Sequence, residues 1–196
     1  MLIVHLRDIN AGVVKAWERA FADVPGVAVS RGDIFAQTAD AIVSPANSFG
    51  YMDGGIDLLY SRYFGWELET NLQSLLAERH YGELPVGQAV ILATGHKSIP
   101  FLVSAPTMRV PMGIGDTVNV YLAFRAALIA VLAHDADKSG PIQSLLVPGL
   151  GTGIGEVAPE RAARQMRLAY NAIIHGEGSK SRNARAVLSE HRELLS

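Results

Sequence analysis

Leu145-Leu-Val-Pro-Gly-Leu-Gly-Thr-Gly-Ile-Gly155 decides how the rest of the chain is read. An apolar run of strand character enters four alternating glycines, Gly149, Gly151, Gly153 and Gly155. Pro159 then stands in the first turn of a helix, where its missing N–H costs nothing. Glycine lets a backbone approach a ligand closely and adopt positive φ. Successive N–H groups in such a turn converge into an anion nest, and Thr152 adds a hydroxyl. A P-loop would need Gly-Lys-Ser/Thr, and no lysine is here. The dinucleotide fingerprint fails too: its sixth position falls on Ile154 counted from Gly149 and on Glu156 counted from Gly151. A strained turn without a ligand is the plain alternative. So dense a glycine run, just past a buried strand, favours a phosphate site.

Working outward, the same alternation recurs. Residues 2–6 are apolar and of strand length, and Asn10 caps a helix with Val13, Val14, Trp17, Ala20 and Phe21 on one face. Residues 27–30 and 40–44 read as strands, the second stopped by Pro45. Gly54-Gly55 opens a helix through Leu58 and Leu59, and another spans 66–80. Strands follow at 88–94 and 101–105, then a strongly apolar helix from Asp116 or Thr117 to Leu132, and a last one from Pro159 to Ile174. Strands separated by helices predict an α/β fold whose sheet is largely parallel and buried on both faces. Ligands bind such sheets beyond the carboxyl ends of the strands. Residues 44–57 and 147–155, the two most unusual segments, lie at such ends. After Gly176 the composition turns to Gly, Ser, Lys and Asn, so one domain is expected over 1–176 and a tail over 177–196, with a short surface helix at 184–195.

With 196 residues, 49% of them apolar and 18% charged, the chain can build a full core without staples. Having no cysteine, it has no disulfides, thiol nucleophiles or Cys-based zinc sites. A net charge of −2 and no long basic run weigh against strong nucleic-acid binding. The apolar start is too short for a secretory or membrane segment, and Arg7 and Asp8 follow it at once. The expectation is a cytoplasmic protein without membrane, metal or cofactor.

The second loop, Ser44-Pro-Ala-Asn-Ser-Phe-Gly-Tyr-Met-Asp-Gly-Gly-Ile-Asp57, also leaves a strand and enters a helix. Gly54 and Gly55 can expose backbone donors, while Asn47, Asp53 and Asp57 suit sugar hydroxyls. Two anion-friendly loops at one sheet edge point to a diphosphate carrying a sugar.

Here the chain resembles the macro-domain family, a three-layer α/β/α fold with a mixed, largely parallel sheet. That family carries G-D-I, then D-A-I-V-N-A-A-N, then G-G-G-G-V-D, and later G-x-G-T-G-I. This chain has Gly32-Asp33-Ile34, Asp40-Ala-Ile-Val-Ser-Pro-Ala-Asn47, Gly54-Gly-Ile-Asp57 and Gly149-Leu-Gly-Thr-Gly-Ile154, in the same order. The resemblance covers roughly residues 27–174 and implies binding of ADP-ribose, free or on a protein, or its hydrolytic removal from a protein or small ester. It implies that Asp33, beside the Ile34 backbone, accepts a hydrogen bond from the adenine amino group and that Asn47 contacts the distal ribose. It also implies that Gly54, Gly55 and Ile56 flank the diphosphate on one side and Gly149, Gly151, Thr152, Gly153 and Ile154 on the other. Asp57, with Asn47, would serve catalysis by positioning water.

Plainer readings stand beside these. Asp33 also suits a turn cap, Asp57 a first-turn residue favoured by the helix dipole, and Asn47 a loop brace. A non-catalytic reader, or a scaffold with a lapsed pocket, are the other functions in play. Met52 and Asp53 replace the family's first two glycines, and Asp53 brings a negative charge towards a negative ligand. Gly155 stands where the family often has an aromatic, leaving Tyr51 or Phe49 to cover the distal ribose. Arg109 either reaches a phosphate or forms a surface salt bridge.

One mismatch concerns topology. The family ends with one more strand and helix, but residues 175–180 are polar, while an extra strand and helix precede Gly32. A buried sheet cannot lose an inner strand without exposing its neighbours' backbone. Residues 2–6 are therefore expected to fill that slot, making the chain circularly permuted, with Arg7 or Ile9 placed against the base. An added outer-edge strand is the alternative.

Overall fold

The computed structural model describes residues 2–45, 47–134, 142–179 and 183–196. Its six strands are β1 (Ile3–Asp8), β2 (Val27–Arg31), β3 (Ala41–Ser44), β4 (Val90–Ala93), β5 (Phe101–Ser104) and β6 (Ser144–Val147). They form one sheet in the order β2-β1-β6-β3-β5-β4. Every neighbouring pair is parallel except β4–β5, the one hairpin. Parallel strands need crossovers, and the sequence supplies α1 (Ala11–Ala20), α2 (Gly55–Phe64), α3 (Glu67–His80), α4 (Asn119–Ala133) and α5 (Pro159–Ile173). Among the described residues no helix is long and apolar enough to cross a membrane.

Alternation along the strands divides the apolar residues between two cores. Val4, Leu6, Val43, Val103, Leu145 and Val147 pack with Trp17 of α1, Phe124 of α4 and Met166 of α5. Ile42, Leu102 and Leu146 point the other way, onto Tyr60 of α2 and Leu68, Leu72 and Leu76 of α3. The result is the three-layer arrangement expected, and all four residues of β3 are buried.

Caps set several boundaries. Asn10 starts α1 as expected, its Oδ1 accepting from Gly12 N at 2.8 Å. The apolar helix begins later than Asp116 or Thr117, because Thr117 closes a turn on Ile114 and its Oγ1 caps Asn119 N at 3.2 Å. A final helix, α6 (Ala184–Leu195), is mostly exposed, but Leu194 is buried in the larger core. Gln165, wholly buried on α5, donates to Leu194 O at 2.9 Å and Thr117 O at 2.8 Å and accepts from Tyr121 N at 3.1 Å. One carboxamide thus joins the starts of α4 and the end of α6 to α5.

β1 is an inner strand. Val4 pairs with Val27 on one side and Leu145 on the other, which is the slot the permuted arrangement requires and not an outer edge. Leu6→Ala should then cost about 2–5 kcal/mol, the range for a buried leucine with a cavity left behind. Denaturant unfolding measures it; a loss well under about 1 kcal/mol would mean that β1 is dispensable to the core.

Candidate functional site

Five segments meet at the carboxyl ends of the strands: the end of β1, the turn after β2, and the loops after β3, β5 and β6. They enclose a cleft of about 450 Å³, within the size range of small-molecule sites. Asp33, Ile34, Asn47, Gly54, Gly55, Ile56, Asp57, Gly149, Gly151, Thr152, Gly153 and Ile154, the residues singled out from sequence, all line it.

The glycines after β6 have different reasons to be glycine. A Cβ at Gly149 would lie 2.6 Å from Thr152 Oγ1 and 2.8 Å from Asp8 Oδ2. Gly151 has φ +69°, and its Cβ would meet Val120 at 2.8 Å. At Gly155 a Cβ would come 2.6 Å from Gly151 O and 2.8 Å from Ile114, so the aromatic often found there has no room. Around Gly153 nothing lies within 4 Å, and it faces open space. The turn is closed by Val157 N donating to Gly151 O at 3.0 Å and Glu156 N to Gly153 O at 3.0 Å. Gly149 N donates to Asp8 Oδ2 at 3.0 Å, while Asp8 Oδ1 accepts from Asn10 N at 2.8 Å. Asp8 thus fixes the entry to the loop. Sequence reasoning missed that role, although a carboxylate directly after an apolar strand was its signal.

Opposite stands the first turn of α2, whose N–H groups have no acceptor within the helix. Gly55 takes φ +56°, and a Cβ there would sit 3.7 Å from Ile154 Cδ1. Ile154, half exposed, therefore reaches across and roofs the gap between the loops. Met52, where the family has glycine, is buried in the smaller core, and its backbone is held by Glu69 Oε2 on N–H at 2.5 Å and Ser61 Oγ on C=O at 2.8 Å. Asp53 lines the cleft and is exposed.

At one end, Arg7 donates from Nε to Asp33 O at 2.8 Å and from Nη1 to Ser30 Oγ at 2.8 Å. A Cβ on Gly32 would lie 2.4 Å from Arg7 Nη2, so glycine there admits the guanidinium. Asp33 does cap its turn, Oδ1 accepting from Phe35 N at 3.0 Å. Ile9 is exposed at the rim.

At the other end, the Asn47 amide braces its own loop. Nδ2 donates to Tyr51 O at 2.8 Å, and Oδ1 accepts from Phe49 N at 3.0 Å and Tyr51 N at 3.3 Å. Tyr51 lines the cleft, whereas Phe49 lies under Arg109, 5.0 Å from its guanidinium carbon. Arg109 is bound to Glu83 at 2.7 Å, the surface salt bridge, and Glu83 is held below the usual carboxylate range by it. Arg7 is therefore the one cation lining the cleft among the described residues, against the carboxylates of Asp8, Asp33, Asp53 and Asp57. An anion here must be held mainly by backbone N–H groups.

Asp57 turns inward from α2. It is 7% exposed, and Ser44 Oγ donates to its Oδ1 at 2.5 Å. Burial pushes its pKa up to about 7, with the Ser44 hydroxyl pulling the other way. The first-turn dipole alone does not describe this residue, which is an acid at the floor of the cleft.

The family model for the macro domain matches residues 43–166. An uncharacterised protein of Aquifex aeolicus is 37% identical over 140 residues, covering 71% of this chain and 78% of that one. The Oceanobacillus iheyensis macrodomain with ADP superposes with a TM-score of 0.62 at 22% identity, covering 74% of each chain. Thermosipho africanus DarTG in complex with ADP-ribose gives 0.58 at 17% identity, covering 71% of this chain and 37% of that one. At these identities the two solved structures agree with it in fold.

The raised value at Asp57 makes stability depend on pH. The folded protein holds this proton more tightly than the unfolded chain, so the acid costs nothing below about pH 4, costs more as pH rises to about 7, and a constant amount above. Asp57→Asn removes that penalty. Its stability relative to the parent should rise by about 2–3 kcal/mol between pH 5 and pH 8, measured by denaturant unfolding at each pH. A gap that does not change with pH would mean that the carboxyl is solvated in the folded state.

Proposed function

The chain belongs to the macro-domain family, and on that premise we propose that its cleft binds ADP-ribose, free or attached to a protein. The observation that carries this reading is the pair of glycine loops facing each other across the cleft, with Asp33 at one end and Asp57 at the floor. The diphosphate lies between the loops, under Ile154, on the N–H groups of residues 151–154 and of the first turn of α2. Adenine lies at the Arg7–Asp33 end. The second oxygen of Asp33 accepts its amino group, and the guanidinium, fixed by two hydrogen bonds, offers a flat cationic face to the ring. The distal ribose then falls near Tyr51, Asp53 and Asn47, where Asp53 suits ribose hydroxyls. That the Oceanobacillus iheyensis macrodomain has been solved with ADP and, as a variant, with ADP-ribose supports the assignment.

Removal of ADP-ribose from a modified protein or a small ester is the finer reading. It rests on Asp57, which is buried in the cleft and has a pKa near neutrality, as a group that takes and returns a proton requires. Binding without turnover is favoured instead by Asn47, whose amide is engaged by its own loop.

Calorimetric titration with ADP-ribose tests the binding. Gly153→Glu should abolish it while leaving the fold intact, since the site around Gly153 is open; a variant that binds as well as the parent would move the diphosphate elsewhere. Asp33→Ala should weaken ADP-ribose by roughly 1–3 kcal/mol and hardly affect ribose 5-phosphate, which lacks adenine. Equal losses for both ligands would assign Asp33 to the fold. A release assay on ADP-ribosylated protein separates hydrolase from reader: loss of turnover in Asp57→Ala with binding retained supports catalysis, and no turnover in a parent that binds supports the reader.

A further inference from the structure

We propose that the buried Ser44–Asp57 couple makes ligand binding proton-linked, so that the anionic diphosphate and one proton on Asp57 enter the cleft together. This rests on the reading of the cleft as an ADP-ribose site. Asp57 occupies the same first helical turn that offers its N–H groups to the diphosphate, and it lines the same cavity. Among the described residues its one side-chain partner is a neutral hydroxyl, Ser44 Oγ, where the family pattern has asparagine.

Among the described residues no cation is paired with Asp57. From β3 comes only Ser44, and from α2 the Tyr60 phenol, which is turned to Val43 O at 3.0 Å. The β3–α2 loop adds Asp53, and the turn after β2 adds Asp33. From β1 come Asp8, holding Gly149 N, and Arg7, tied to Asp33 O and Ser30 Oγ. The loops after β5 and β6 line the cleft with no charged side chain. A diphosphate placed in this cavity meets a buried carboxyl that no cation neutralises. Its negative charge further disfavours the ionised form, as a like charge does. Because burial already pushes the pKa of this acid up to about 7, a further rise on binding draws a proton from solvent. No histidine lines the cleft among the described residues, and a diphosphate esterified at both ends has no ionisation near neutrality. Asp57, buried in the cleft with its pKa pushed up to about 7, is therefore the group through which the coupling runs. Ser44 is a positioning residue: its donated hydrogen favours the carboxylate and so sets the pH at which the coupling begins.

The experiment is calorimetric titration of the full chain with ADP-ribose at pH 6, 7 and 8, each in two buffers of different ionisation enthalpy. Affinity should fall up to about tenfold from pH 6 to pH 8, and the binding enthalpy should vary with the buffer as proton uptake requires. Asp57→Asn should flatten the profile, and Ser44→Ala should move its midpoint to higher pH. Binding that is independent of pH, with no buffer dependence, overturns the linkage while leaving the function standing. No binding at any pH overturns the function and the linkage with it. A uniform loss in Ser44→Ala with an unmoved midpoint overturns the positioning role. The parent measurement needs no variant, so a misfolded Asp57→Asn leaves the test intact.

Discussion

The slot between β2 and β6 must be filled, because both neighbours present backbone N–H and C=O groups that would otherwise be buried unpaired. β1 fills it from the start of the chain, and much of the site follows. Its last residues emerge at the carboxyl edge, delivering Arg7 to the turn at Asp33 and Asp8 to the entry of the glycine loop. The same strand leads through Asn10 into α1, which packs on α5 beside that loop. A requirement for backbone pairing in the sheet thus also positions the side chains at one end of the cleft.

Recognition of an anion in such a place is a matter of dipoles more than charges. One arginine faces four carboxylates across the cleft. A phosphate held by lysines would tolerate such neighbours poorly, whereas N–H groups fixed by the loop give directed donors without a mobile counter-charge. The carboxylates are disposed accordingly. Asp8 binds loop backbone, Asp33 caps a turn at one end, Asp53 stays solvated and Asp57 is buried against a hydroxyl.

Strand and helix order was legible because parallel strands buried on both faces read as apolar runs between breakers, and the predicted elements appear close to their expected places. The inner position of β1 was legible through the family resemblance, since the polar residues 175–180 offer no counterpart to the family's last strand, and an outer edge was the alternative that the pairing with β2 and β6 removes. The two glycine loops of the cleft were legible because glycine in series has few uses, whereas Asp33 and Asn47 were singled out through the family resemblance. Hydrogen bonds that join distant segments were not. Nothing in the periodicity of α5 marks Gln165 as the link to α4 and α6, nor could Asp8 be matched to Gly149, 141 residues away. Asn47 looked like a sugar ligand by its loop position, and only the backbone path from Asn47 to Tyr51 shows how its amide is engaged. Asp57 read equally as a dipole-favoured surface acid, because a sequence gives its turn of the helix but not the side that is buried.

That last ambiguity contains the physics of the site. The start of α2 offers partial positive charge, and two negative groups have a use for it: the Asp57 carboxyl from within and a bound diphosphate from the cleft. Each helical N-terminus carries only about half an elementary charge, too little to neutralise both. Burial removes the water that would screen one from the other, and the Ser44 hydroxyl supplies a single hydrogen and no net charge. Competition for one helix end is therefore built into the first turn. In the proposed linkage it is resolved by moving a proton, because the backbone N–H groups cannot move and the carboxyl, its pKa pushed up to about 7, can take one up.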